Sequence, residues 1–262
     1  MDLGLNKKTA VVLAASKGLG KAVARSLAME GCHLAICSRN KTALKFTADE
    51  IARVSGSEIF YQTVDLKNKA KIDRFISETV KQYGTVDILV TNAGGPPVKS
   101  FEESTEEEWH EWYEITFMSV VRSIKAVLPY MKKNKFGRII NITSISVKAP
   151  VERLIYSNAL RLAVVGLAKS LAKEVGTYGI TVHNVAPGYH LTDGLERIVR
   201  KKVAAGLKRG DVLKEWERQI PLHKIGQPND LAGIVTFLAS EQAGYLSGTT
   251  IQVDGGLYPG IL

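Results

Sequence analysis

Ser144 in NITS and Tyr156 in LIYSNALR stand twelve residues apart. A hydroxyl and a phenol so placed can hold and protonate an oxygen on which negative charge develops. A second stretch, AASKGLGKAVARS, sets Gly18 and Gly20 between an apolar run and a helical pattern. Glycines there let the backbone approach a phosphate, and the free N–H groups and positive dipole end of the following helix favour that anion. A third stretch, CSRN, places Ser38 and Arg39 at the end of a strand-like run, with no carboxylate until Asp49. An acid at that place would hold a free ribose 2′-hydroxyl, whereas an arginine suits a 2′-phosphate by charge and by its planar fork. Lys17 adds a second cation, and the pattern favours NADP(H) over NAD(H). No metal ligands are assigned.

These residues must be positioned by regular elements. Apolar runs of strand length recur as TAVVLAA, HLAICS, EIFYQTVD, VDILVTNA, GRIINITS, ITVHNVAPG and TTIQVDGG, separated by segments of helical period. Helix starts are marked by Thr105 and Glu108, spaced as a capping box, and by Asn229 or Asp230. Because the runs are continuously apolar, both sheet faces should be covered, which predicts an α/β doubly wound parallel sheet of about seven strands (a Rossmann fold). Ligands in that architecture lie beyond the carboxyl ends of the strands, where strand order reverses. The alternation is unbroken, so residues 1–262 read as a single domain. Its least regular part, 192–228, holds nine Lys/Arg against five Asp/Glu.

The composition is that of an ordinary soluble globular chain, 45% hydrophobic and 23% charged. The N-terminal stretch has no basic region ahead of a long apolar run, so neither export nor membrane insertion is expected. Cys32 and Cys37 fall on one apparent buried strand and make a poor disulfide pair, which suggests the reducing cytoplasm. The net charge of +9 favours anionic partners, but the signatures of nucleic-acid binders are absent and nucleic acid is disfavoured.

In this order the motifs resemble the short-chain dehydrogenase/reductase family over essentially the whole chain. The resemblance rests on the glycine turn, VDL with Asp65 and Leu66, TNAGG with Asn92, Ala93 and Gly94, NITS with Ser144, then Tyr156, and finally APGYHLT with Pro187, Gly188 and Thr192. The C-terminal YLSGTTIQVDGG is similar to that family's last strand. The resemblance implies a cofactor held by Ser16, Lys17, Gly18, Leu19 and Gly20 at the phosphates and by Ser38 and Arg39 at the 2′-phosphate. It further implies Asp65 and Leu66 at the adenine, Asn92, Ala93 and Gly94 along the ribose side, and Pro187, Gly188 and Thr192 toward the nicotinamide. It makes 192–228 a basic substrate lid and implies a homotetramer or homodimer. Within the family the chain is most similar to 3-oxoacyl carrier-protein reductases.

Three positions depart from the pattern. The first glycine of the turn is Ala14, a change that a negative φ would accept. The catalytic asparagine falls on Thr116, and the catalytic lysine, four residues after the tyrosine, falls on Leu160. A cation about 4 Å from a phenolate is worth roughly 4 kcal/mol at an effective dielectric near 20, or about three pKa units. Without it Tyr156 stays a neutral acid, the form that reduction needs, and oxidation suffers more. Arg161, about 140° around the helix from Tyr156, is expected to face elsewhere, while Lys148 and Arg153 lie in a freer loop.

By helical pattern alone Tyr156 reads as core, on one face with Leu160, Val164, Leu167 and Leu171. Its place among the cofactor motifs instead assigns it as proton donor, with Ser144 orienting the substrate oxygen. The expectation is an NADP(H)-dependent oxidoreductase acting on a small carbonyl or alcohol, mainly as a carbonyl reductase, with an anionic substrate suggested by the basic lid. The alternative is a catalytically silent dinucleotide-binding protein with a regulatory or scaffolding role.

Overall fold

The computed structural model describes residues 2–261. Seven parallel strands form one sheet: β1 (Thr9–Val12), β2 (His33–Ser38), β3 (Ile59–Thr63), β4 (Ile88–Thr91), β5 (Gly137–Ile142), β6 (Ile180–Pro187) and β7 (Thr250–Val253). Their spatial order is β3-β2-β1-β4-β5-β6-β7. The chain winds outward from β1 to β3, then returns to lay β4 against the other edge of β1, with Val11 beside Ala35 on one side and Leu89 on the other. That reversal is the place where a doubly wound sheet opens a ligand crevice at its carboxyl edge.

The helices are α1 (Gly18–Met29), α2 (Lys41–Ser55), α3 (Lys69–Tyr83), α4 (Glu106–Tyr113), α5 (Ser119–Asn134), α6 (Ile155–Val175), α7 (Asp193–Ala204), α8 (Arg209–Gln219) and α9 (Pro228–Ala239). Alternate residues of β1 feed two cores. Ala10 and Val12 pack with Val23 and Leu27 of α1 and Leu231 and Val235 of α9. Val11 packs on the other face with Phe75 of α3, Val127 of α5 and Val164 of α6. Burial on both faces is why the central strands β1, β4 and β5 carry no polar alternation.

The capping box at Thr105 forms as expected, with Glu108 N–H on Thr105 Oγ1 and Thr105 N–H on Glu108 Oε2, both at 3.3 Å. α9 begins a little before the expected Asn229 or Asp230, because Pro228 takes its first position and Asp230 caps back onto Gln227. Cys32 lies just ahead of β2 instead of within it, while Cys37 is inside the strand, and both are free and buried. Between α4 and α5, residues Glu114–Met118 make one turn of π-helix. The 192–228 segment folds as α7 and α8 around a small apolar cluster of Leu195, Val199, Val212 and Trp216.

Candidate active site

A cleft of about 590 Å³ opens at the carboxyl edge of the sheet. One end is the turn from β1 into α1. Lys17 precedes the helix in extended conformation and gives it no side-chain cap, so the first-turn N–H groups are left for a ligand. Gly20 lies behind the turn, where an added Cβ would sit 2.7 Å from both the Ala14 carbonyl oxygen and Asn92 Nδ2. Asn92 Nδ2 in turn donates to that carbonyl at 3.3 Å, which ties β4 to the turn. Ala14 has φ +49°. The expected negative φ is therefore not what the turn adopts, and the alanine sits in the left-handed region that glycine would occupy without strain.

Ser16, Lys17, Gly18 and Leu19 line this end, and Ser38 and Arg39 face them from the tip of β2. Among the described residues Arg39 has no ion pair, and Lys17 has only a 3.9 Å approach to Asp193. Asn40, missed in the sequence reading, also lines the cleft while capping α2 through Ala43 N–H at 2.9 Å. Asp65 and Leu66, then Asn92, Ala93 and Gly94, continue the wall. The cradle, the uncapped helix end and the two cations together fit a dinucleotide with an extra phosphate.

Pro187, Gly188 and Thr192 close the opposite wall. The Thr192 hydroxyl caps α7 by accepting the Leu195 N–H at 3.3 Å. Its methyl side lies over Gly18, where an added Cβ would meet it at 3.6 Å. The far end is lined by Trp112, Ile115, Ile142, Thr143 and Tyr189, none of them singled out by sequence motifs. The Tyr189 ring stacks on Trp216 of α8 at 5.2 Å, which ties α8 to the cleft wall.

The structure does not bring Tyr156 to this cleft. Its side chain is fully buried, its hydroxyl donates to Glu108 Oε2 at 2.6 Å, and Trp109 packs edge-on against its ring at 4.7 Å. Burial and then the Glu108 carboxylate push the phenol up, while Lys99, at 2.6 Å from Oε1, and then Tyr156 hold Glu108 down. The reason is helix phase. The buried stripe of α6 is Ser157, Arg161, Val164, Ala168, Leu171 and Val175, with Tyr156 on its edge and Leu160 half-buried outside it.

Arg161, five residues on, faces away from Tyr156 as expected, and the direction it faces is the cleft. Arg161 is 9% exposed, and its guanidinium donates through Nη1 to the Ile142 carbonyl at 3.0 Å and has no carboxylate partner among the described residues. Burial pushes it down to about 10. One turn earlier, Ser157 Oγ lies 3.1 Å from Ser146 Oγ.

Ser144 begins the short 3-10 turn Ile145–Val147, and its hydroxyl oxygen accepts the Ser146 N–H at 3.1 Å. The cleft wall runs over Ile142 and Thr143 immediately before it. Thr116 lies in the π-turn, 3% exposed, with Oγ1 unpartnered. Arg153 is held by both oxygens of Glu103, and neither it nor Lys148 lines the cleft.

With this geometry in place, the chain can be set beside known proteins. The family model described as Enoyl-(Acyl carrier protein) reductase matches residues 13–258. The 3-oxoacyl-[acyl-carrier-protein] reductase FabG of Staphylococcus epidermidis is 33% identical over 252 residues, spanning 96% of this chain and 99% of that protein. The crystal structure of L-sorbose reductase from Gluconobacter frateurii, complexed with NADPH and L-sorbose, superposes with TM-score 0.96 at 28% identity over 100% of both chains. An actinorhodin polyketide ketoreductase with NADPH superposes with TM-score 0.90 at 30% identity, covering 96% of this chain and 97% of that one.

Proposed function

The chain belongs to the short-chain dehydrogenase/reductase family, and from that starting point we propose that it is an NADP(H)-dependent oxidoreductase working as a carbonyl reductase of the 3-oxoacyl type. The observation that carries the reading is the end of β2. Ser38, Arg39 and Asn40 stand there with no carboxylate, Arg39 is exposed and has no ion pair among the described residues, and Lys17 lines the same cleft. A 2′-phosphate would meet both cations, while a bare 2′-hydroxyl would find no acid to accept its hydrogen bond.

In this reading the uncapped start of α1 binds the pyrophosphate, Asp65 and Leu66 border the adenine, and Asn92, Ala93 and Gly94 follow the ribose. Pro187, Gly188 and Thr192 lie toward the nicotinamide. Bound NADPH supplies a hydride. The apolar far end, with Trp112, Ile115 and Ile142, excludes water and seats the acyl or alkyl part of a carbonyl substrate. Ser144 follows Thr143 of the wall without itself lining the cleft, and its hydroxyl oxygen accepts the Ser146 N–H; in this reading its O–H donates to the substrate oxygen. Tyr156 has no part in this arrangement, because its hydroxyl is committed to Glu108.

Residues 192–228 act as a lid of the same single domain. A dimer or tetramer belongs to the reading through the family resemblance. A cytoplasmic setting is supported by the two free thiols. No helix among the described residues is long and apolar enough to cross a membrane.

The test is NADPH and NADH binding by fluorescence titration, followed by NADPH consumption with an acetoacetyl thioester, ethyl acetoacetate and L-sorbose. Tight NADPH binding with turnover of at least one carbonyl is expected. Equal affinity for the two cofactors would remove the 2′-phosphate assignment. Tight binding with no turnover would favour the silent alternative.

A further inference from the structure

We propose that Arg161 is the electrophile of the reaction: its guanidinium holds the carbonyl oxygen of the substrate and carries the negative charge that develops there. The inference rests on the reductase reading above and adds to it the residue that answers for the missing phenol. Four observations support it. Arg161 lines the cleft at the end where Trp112, Ile115 and Thr143 form an apolar wall, away from the phosphate end marked by Lys17 and Arg39. It is nine-tenths buried and lacks a carboxylate partner among the described residues, so its charge is held out of water without a counter-ion. Among the described residues only one of its five N–H groups has a partner, the Ile142 carbonyl. That bond anchors the group at the tip of β5, so its remaining donors are fixed in direction before any ligand arrives.

The other candidates at this end are less suited. His190 has Nδ1 at 3.3 Å from the Gly188 carbonyl and a buried Nε2 with no hydrogen-bond partner among the described residues, but burial lowers its pKa, so it offers a neutral ring and not a cation. Tyr189 is stacked on the lid through Trp216. Tyr156 bonds Glu108 on the other side of α6. A desolvated cation with free donors is what an oxygen gaining charge requires, and its effect is strongest where water is excluded.

The step balances as follows. The carbonyl carbon accepts a hydride with its electron pair, the C=O π pair moves onto oxygen, and the resulting alkoxide is held by the guanidinium and by the Ser144 O–H. The alkoxide then takes a proton from a water molecule at the open mouth of the cleft, and the products are a secondary alcohol, the oxidised nicotinamide and a hydroxide that leaves to solvent. No side-chain phenol is needed, and the guanidinium keeps its protons throughout.

The experiment compares wild type with Arg161→Gln and Arg161→Lys, measuring kcat and KM for the carbonyl substrate, Kd for NADPH, and Tm. For Arg161→Gln kcat is expected to fall by about 10²–10³-fold, the usual effect of removing one oxyanion donor, with NADPH Kd within about threefold of wild type. Arg161→Lys, which keeps a cation, is expected to retain at least about tenfold more kcat than Arg161→Gln. Three results would overturn the assignment: kcat of Arg161→Gln within about fivefold of wild type, a loss that lies in NADPH Kd instead of kcat, or a lysine variant no better than the glutamine one. If Arg161→Gln does not fold, Arg161→Ala assayed with and without methylguanidinium decides the matter. Saturable recovery of kcat supports the assignment, and no recovery overturns it. Wild-type protein that binds NADPH but reduces no carbonyl would bring down the reductase reading itself, whereas an active wild type with an equally active Arg161→Gln sinks only this inference.

Discussion

Tyr156 and Arg161 leave the same helix on different sides. The phenol donates to Glu108 at 2.6 Å, and the guanidinium, five residues on, lines the cofactor cleft. The first is a tie between α6 and α4; the second faces the chemistry.

The tie makes Tyr156→Phe a stability variant. Glu108 keeps Lys99 and its place in the Thr105 cap but loses a part-buried, charge-assisted hydrogen bond. Tm by differential scanning calorimetry should fall by about 3–6 °C, with carbonyl turnover changed less than about fivefold. A loss of turnover above about a hundredfold at unchanged NADPH affinity would return the phenol to the active site.

Leu160→Lys gives a sharper contrast. Were Leu160 in place of a catalytic lysine, adding the cation would raise oxidation more than reduction. Because the residue sits half-buried on the flank of α6, outside the cleft, neither rate should change more than about twofold. Steady-state assays in both directions read this directly.

Arg39→Asp should exchange cofactor preference. The carboxylate repels a 2′-phosphate and offers an acceptor to a free 2′-hydroxyl. NADPH Kd should rise by about 10–100-fold while NADH Kd falls or holds, as measured by fluorescence titration at fixed ionic strength. Unchanged NADPH affinity would place the 2′-phosphate elsewhere.

Ala14→Gly should stabilise the protein. At φ +49° an L-residue carries a steric cost of about 1–2 kcal/mol that glycine avoids, offset in part by glycine's greater unfolded-state entropy. Tm should rise by about 1–4 °C. A fall in Tm would mean that the methyl group contributes packing that outweighs the backbone strain.

Acid sensitivity should come from His183 before any carboxylate. The ring is fully buried, with Nδ1 at 2.9 Å from Thr249 Oγ1, and burial followed by Arg138 pushes it down to about 4 from an ordinary 6.5. The unfolded chain thus binds the proton first: stability is full above about pH 6.5 and is lost as pH falls toward 4. His190, lowered in the same direction by burial, adds to the slope. Tm should drop by about 3–8 °C across that window, and His183→Asn should flatten most of the drop. An unaltered slope in that variant would assign the effect to other groups.

Much of this was legible from sequence, for reasons that can be named. Strands buried on both faces must be apolar throughout, so the central ones stood out, while β3 and β7 at the two edges are only partly buried. The glycine turn and the Thr105 box rest on backbone geometry that few residue types satisfy. The side chain facing the cleft from α6 was harder. A stripe through Tyr156, Leu160, Val164, Leu167 and Leu171 looked continuous because it counted only large apolar residues. The real stripe passes through Ala168 and ends in Ser157 and Arg161, small or polar residues that hydrophobicity does not flag. Counting back from Val175 and Leu171 in steps of three and four would have found them. The sign of φ at Ala14 had no such signal, since residue type alone does not report it.

The two thiols have a practical consequence. Cys32 and Cys37 are 1% and 0% exposed, and burial, the largest cause for each, pushes both up to about 12. Thiolate is the reactive form and reagents need access, so the native fold behaves toward maleimides and iodoacetamides as though it had no cysteine. A single cysteine placed on the exposed face of α7 would then be the sole labelling site. A dye attached there would show whether α7 moves relative to the cleft in an otherwise unaltered chain.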